Sequence, residues 1–197
     1  MLDTHARHFV QPLFTWTARR LLKAGITANQ VTWAAFLIGA STGILIYFDY
    51  PVTAALLLWL SGYLDAVDGS MSREGDSSTP WGTLLDITFD RIVELSVIIG
   101  LAARFPELQF MLLLLTSAIV FSMTVFLTVG ALSEKKGIKS FYYQAGVAER
   151  TEGFIFFTFM ILLPGWLFWT TALFLFLEVF TAIQRMFEAN RLLKAKG

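Results

Sequence analysis

The sequence predicts an all-α integral membrane protein, with six transmembrane helices preceded by an interfacial amphipathic helix. Three observations carry this prediction. Hydrophobic residues make up 56% of the 197-residue chain and charged residues only 15%, against about 25% charged in an ordinary soluble domain. Runs almost without charge recur at lengths that suit a bilayer core, which needs about 20 apolar residues per helix. Lysine and arginine gather in alternate links between those runs, as membrane topology requires. Other classes recede on the same grounds. The net charge is zero, so nothing suggests a bulk nucleic-acid partner. There is no cysteine, which excludes disulfides and leaves the redox compartment open. Met1–Gln11 is polar and does not read as a signal peptide. No linker divides the chain, so a single membrane domain over 1–197 is expected.

Each element has its own justification. Gln11–Gly25 interleaves Leu13, Phe14, Trp16, Leu21 and Leu22 with Arg19, Arg20 and Lys23. This fits a helix lying on the cytoplasmic leaflet, with Pro12 near its first turn. The six spans are expected at about Asn29–Phe48, Val52–Ser72, Trp81–Ala103, Leu108–Leu132, Glu149–Leu163 and Trp166–Phe187, a bundle over 29–187. Asp49-Tyr50-Pro51, Phe105-Pro106-Glu107 and Pro164-Gly165 read as tight turns at one membrane face. The longer polar links Arg73–Pro80 and Ser133–Ala148 fall on the other. Under this topology Arg7, Arg19, Arg20, Lys23, Arg73, Lys135, Lys136, Lys139, Arg191, Lys194 and Lys196 share one side, opposite Arg104. Both termini are then cytoplasmic. Gly39, Ser41 and Gly43 in the first span are small enough for close packing, within one chain or between two.

Against this apolar background, Asp65, Asp68, Asp86 and Asp90 demand an explanation, because carboxylates at membrane depth are costly. Asp65 and Asp68 are spaced to share one helix face. So are Asp86 and Asp90, with Glu94 continuing that face. Both pairs lie near the cytoplasmic ends of consecutive antiparallel helices, so all four can converge on one pocket. Like charges that close raise one another's pKa, and a divalent cation relieves the repulsion. Hard oxygen ligands suit magnesium, manganese or calcium, and His5 and His8 lie far from the group. Magnesium commonly completes its shell with substrate phosphates, which points to a phosphorylated ligand. Gly69 follows Asp68, and Gly82 precedes Asp86 by a turn. Their missing side chains would let a base or diphosphate approach the backbone.

These residues form Asp65-x-x-Asp68-Gly69-x-x-Ser72-Arg73, eight residues, Gly82, three residues, Asp86, three residues, Asp90. The pattern resembles the signature of the CDP-alcohol phosphotransferases, integral membrane enzymes of phospholipid synthesis. Ser72 stands where the family usually has Ala. The phrase Ile26-Thr27-Ala28-Asn29-Gln30-Val31-Thr32 is also similar, with Ala28 where relatives often have Pro. The resemblance implies that an acceptor hydroxyl attacks the β-phosphate of a CDP-alcohol, typically CDP-diacylglycerol, and releases CMP. It implies that Asp65, Asp68 and Asp86 hold divalent metal, Mg2+ or Mn2+, and that Asp90 serves as base while touching a second ion. It implies that Gly69, Arg73, Gly82 and Asn29 line the nucleotide site. Homodimerisation is an expectation of the same kind.

Relatives that take phosphorylated acceptors usually carry extra bases late in the fourth helix and a phrase like E-R-x-E-R opening the fifth. Here Thr124–Leu132 has no base, and Glu149-Arg150-Thr151-Glu152-Gly153 has Gly153 at the second arginine's place. A phosphate dianion wants several convergent donors. Arg150, even with Arg185, is thin provision, so a non-phosphorylated polyol or serine is the expected acceptor. Tyr142, Tyr143 and Gln144 are candidate partners for its hydroxyls. The alternatives are a phosphorylated-acceptor enzyme of the same class, or an ion transporter or channel with intramembrane carboxylates.

Overall fold

The computed structural model describes residues 2–75, 79–132 and 150–194, with side chains from 10 to 191 in those segments. Among the described residues the chain is helical throughout. In order, α1 is Leu2–Lys23, α2 Ala28–Tyr47, α3 Pro51–Glu74, α4 Pro80–Arg104, α5 Gln109–Leu132, α6 Arg150–Leu162 and α7 Leu167–Lys194. Short 3-10 turns at Pro106–Leu108 and Pro164–Trp166 precede α5 and α7. The chain divides into two compact units, Thr4–Pro106 and a second holding Glu107–Gly197.

The helix starts in the first unit are chemically specified. Thr27 caps α2 through a capping box: its hydroxyl accepts from Gln30 N–H, and the Gln30 side chain accepts from Thr27 N–H at 2.9 Å. Ala28 is therefore the first helical residue, the place where proline is also favoured. Thr79 caps α4 by accepting from Gly82 N–H at 3.0 Å, with Pro80 next in line. α1 starts nine residues earlier than the amphipathic segment suggested and runs through Pro12. Among its described side chains, the apolar ones that pack against α3 begin at Phe14. It ends at Gly25, whose φ of 79° suits a residue without Cβ.

α2 packs closely on both α3 and α4. Ser61 donates to Ala35 C=O at 2.8 Å. Ser96 donates to Ala40 C=O at 2.6 Å and accepts from Gly43 N–H at 3.1 Å. A Cβ on Gly43 would strike the backbone of Ser96, and one on Gly100 the backbone of Gly43. Gly39 and Gly43 are thus used within the chain, while the Ser41 hydroxyl returns to its own helix at Ile38 C=O. Small residues are what membrane helices use to approach one another. Beyond the far end of α2, Asp49 adopts a φ of 64°, pairs with Arg104, and leaves Arg104 to donate to Ile46 C=O.

The second unit packs differently. Phe174 on α7 stacks on Phe156 and meets Phe157 edge-on. Arg185, buried on the same helix, donates to Ser122 of α5 at 3.2 Å and lies 5.0 Å from the centre of the Phe126 ring.

Among the described residues, three helical segments are long and apolar enough to cross a membrane: Ala28–Tyr47, Pro106–Leu132 and Pro164–Arg191. α3 and α4 have the length, with 24 and 25 residues. They fall short in apolarity because they carry Asp65, Asp68, Arg73 and Glu74, and Asp86, Asp90, Arg91 and Glu94. α6 has 13 described residues, and Glu149, expected to open it, lies outside the described residues, as do Lys135, Lys136, Lys139, Tyr142, Tyr143 and Gln144.

Candidate functional site

α3 and α4 both pack on α2, meeting it together at Gly39, and carboxylates from the two helices come together. One oxygen from each of Asp65, Asp68 and Asp86 lies within 4.8 Å of the others. Asp68 is buried, and Asp65 and Asp86 are half-buried. The helical spacing accounts for this. Asp65 and Asp68 lie one turn apart on α3, and the capped start of α4 carries Asp86 to the same level. Asp90 stands one turn further along α4, outside that trio.

The donor set is three hard anionic oxygens, closely grouped and partly withdrawn from water. It fits a divalent cation such as magnesium or manganese and does not suit a thiophilic metal.

The other sequence-predicted residues fall into two groups. Arg73 lies along its own helix, donating to the Ser70 hydroxyl at 3.0 Å, and a Cβ on Gly69 would stand 3.5 Å from its guanidinium. At the start of α4, a Cβ on Gly82 would meet the Thr79 hydroxyl at 3.3 Å and the Asn29 amide oxygen at 3.7 Å. Asn29 and Gly82, distant in sequence, therefore share one corner. Thr79 belongs to that corner and was not singled out from the sequence. Its signal was legible: a threonine before a proline and three residues ahead of Gly82 is a helix-start pattern. Arg150 opens α6 in the second unit, its guanidinium 5.7 Å from the Phe154 ring. Glu94 is buried one turn beyond Asp90, paired with Arg91 at 2.6 Å.

The profile of the CDP-alcohol phosphatidyltransferases matches residues 25–184. The chain belongs to that family. It is accordingly a transferase of substituted phosphate groups, and the ion-pathway alternative is set aside. Among its relatives, the inner membrane protein YnjF of Escherichia coli K12 is 31% identical over 84% of each chain. An archaetidylinositol phosphate synthase of Methanothermobacter thermautotrophicus is 32% identical over 76% of this chain and 69% of its own. Among solved structures, the fold is shared with the phosphatidylinositol phosphate synthase of Mycobacterium tuberculosis. With CDP-DAG bound, that protein superposes with a TM-score of 0.76 at 23% identity, covering 90% of this chain and 94% of its own. Its complex with manganese and citrate gives 0.75 at 24% identity, over 89% and 88%.

Proposed function

We propose that the protein transfers a phosphatidyl or related phospho-alcohol group from a CDP-alcohol, CDP-diacylglycerol by preference, to an acceptor hydroxyl and releases CMP. The observation that carries this is the meeting of Asp65, Asp68 and Asp86 within the family's signature. In this reading those three residues hold Mg2+ or Mn2+, with Asp90 at the edge of a second ion. A bound ion would neutralise the diphosphate and the departing nucleotide. Asp90 takes the proton from the acceptor hydroxyl. As that oxygen bonds to the β-phosphorus, the bond from phosphorus to the bridging oxygen breaks, and CMP leaves with the electron pair. Gly69 and Gly82 admit the nucleotide close to the backbone, and Arg73 and Asn29 supply its polar contacts.

The same proposal places α2 to α7 across the bilayer as six spans of one domain, with α1 on the cytoplasmic leaflet and the site and both termini facing the cytoplasm. The lipid tails of the donor then stay in the membrane while its head reaches the carboxylates. A homodimer is part of the proposal.

For the acceptor, the residues of the chain favour a hydroxyl compound without phosphate, a polyol or serine. Thr124–Leu132 has no base, and Gly153 is buried where its Cβ would face Phe174 at 3.6 Å. A phosphorylated inositol is the second reading. It is favoured by the relatives named as inositol phosphate synthases, and Arg150 would meet its phosphate.

The test is CMP release by the purified protein in lipid with CDP-diacylglycerol and Mg2+ or Mn2+. Serine, inositol, inositol phosphate, glycerol phosphate and no acceptor are compared, with Asp90→Asn as control. Release that requires one acceptor, a metal and Asp90 supports the proposal and names the product. Dependence on a phosphorylated acceptor moves the acceptor to the second reading. No release with any acceptor or CDP-alcohol donor refutes the proposal.

A further inference from the structure

α1 carries none of the signature, yet it touches α3 along the stretch that does. Phe14 meets the Tyr63 ring at 5.6 Å between centroids, and Thr17 and Tyr63 share a hydrogen bond of 2.6 Å through their hydroxyls. Ala18, fully buried, packs in one cluster with Val67 and Met71, joined by Leu21, Leu22 and Leu64. Arg19 then grips Glu74 with two hydrogen bonds, 2.9 and 3.2 Å. Tyr63, Val67, Met71 and Glu74 are four, four and three residues apart, so they form one stripe down α3. That stripe begins two residues before Asp65 and ends one residue after Arg73.

The stripe and the carboxylates occupy different faces of the same three turns. A helix held by side chains along one face has its rotation about its own axis set by them, and that rotation decides where Asp65 and Asp68 point. A helix turns about 100° per residue around a radius of a few ångströms. A rotation of α3 by a fraction of one residue therefore moves a carboxylate by more than a coordination sphere tolerates, roughly 0.5 Å. α2 holds α3 at Ser61, below this stretch, and reaches it again through Val31, which shares the cluster of Ala18, Val67 and Met71. The polar contacts with α1 stand at the two ends of the signature on α3, at Tyr63 and Glu74.

We propose that α1 is a positioning element for the metal centre: Thr17 and Arg19, acting through Tyr63 and Glu74, set the rotation of α3 at which Asp65 and Asp68 meet Asp86. This rests on the reading of Asp65, Asp68 and Asp86 as metal ligands. It gives an otherwise generic amphipathic helix a specific task, separate from anchoring. The two polar contacts lock the rotation at the two ends of the stripe, and the apolar cluster between them keeps the helices together.

The experiment is Mn2+ binding to the full chain in lipid nanodiscs, followed by electron paramagnetic resonance, which needs no substrate or turnover. Wild type, Asp65→Asn, Arg19→Ala, Tyr63→Phe, the double variant Thr17→Val/Arg19→Ala, and the exchange Arg19→Glu/Glu74→Arg are compared, with thermal unfolding measured on each. The double variant is expected to weaken Mn2+ binding about tenfold, the lower range for residues that orient metal ligands from behind, while its unfolding temperature stays near wild type. The exchange, which keeps the ion pair, is expected to restore more of the affinity than Arg19→Ala retains. Wild-type affinity in the double variant overturns the proposal. So does a loss of affinity that only tracks a loss of stability and is not recovered by the exchange. Should the double variant not fold, Tyr63→Phe and Arg19→Ala carry the same comparison singly. Absence of Mn2+ binding to wild type, or unchanged binding in Asp65→Asn, overturns the metal reading itself, and the two failures are thereby told apart.

Discussion

Around α2, neighbouring helices come together over glycine, and serine hydroxyls cross from one backbone to the other. Around α7, they come together over phenylalanine rings and one buried arginine. The contrast matters because the first unit holds every aspartate of the signature. Backbone-to-backbone contact through Gly43 and Gly100 leaves no soft layer to take up displacement. Stacked rings such as Phe156 and Phe174 can slide. A cluster of carboxylates must be held to fractions of an ångström, and the part of the molecule that carries it is the part packed without give.

This contrast can be broken in several places. The largest effect is chemical. Asp65→Asn or Asp86→Asn is expected to abolish saturable Mn2+ binding and CMP release together. Asp90→Asn should lower turnover about 100- to 10,000-fold, the range of a general base, while sparing much of the Mn2+ binding. Next comes Gly43→Ala. Its new methyl group would push against the backbone and the hydroxyl of Ser96, and the cost should be about 1–3 kcal/mol, read as a lower unfolding temperature in detergent. Gly153→Ala in the second unit is the matched comparison. Its Cβ would meet Phe174 at an ordinary 3.6 Å, so stability should hold or rise slightly as glycine leaves a helix. Equal losses at the two glycines would dissolve the contrast. Smaller still, Ser96→Ala and Ser122→Ala should each cost about 0.6 kcal/mol, the average for an interhelical hydrogen bond in a membrane protein. Ser96 should cost the more, because it serves two backbone groups.

The smallest effect concerns pH. The hydrogen bond from Arg19, aided by its charge, holds the Glu74 carboxyl below the usual range. A group whose pKa is lower in the folded state contributes stability above its unfolded value and loses it as pH falls through the folded one. Unfolding temperatures of wild type and Glu74→Gln should therefore differ slightly near neutrality and converge on the acid side. The pair is exposed and will weaken in high salt.

Much of this was legible in the sequence, and what was not has physical causes. The apolar runs marked α2 to α5 to within two residues, because Pro51, Pro80 and Pro106 end or begin helices whatever surrounds them. The helical spacing of Asp65, Asp68 and Asp86 foretold their meeting. The seat of α1 on α3 was hidden, because Thr17, Tyr63 and Glu74 look unremarkable alone and acquire meaning only when two helices lie side by side. The caps at Thr27 and Thr79 carry helix-start patterns that the apolar runs beside them overshadow. Whether Gly39 and Gly43 served one chain or two was open, since small residues state only that something comes close.

The three helices that bring Asp65, Asp68 and Asp86 together, α2, α3 and α4, follow one another directly in the chain. A growing polypeptide folds from its N-terminal side as it is made. Every residue of the carboxylate trio, its glycine contacts and its threonine caps has thus been synthesised before α5 begins. The carboxylate-bearing half of the enzyme can begin to assemble in the membrane while the half that follows is still being translated.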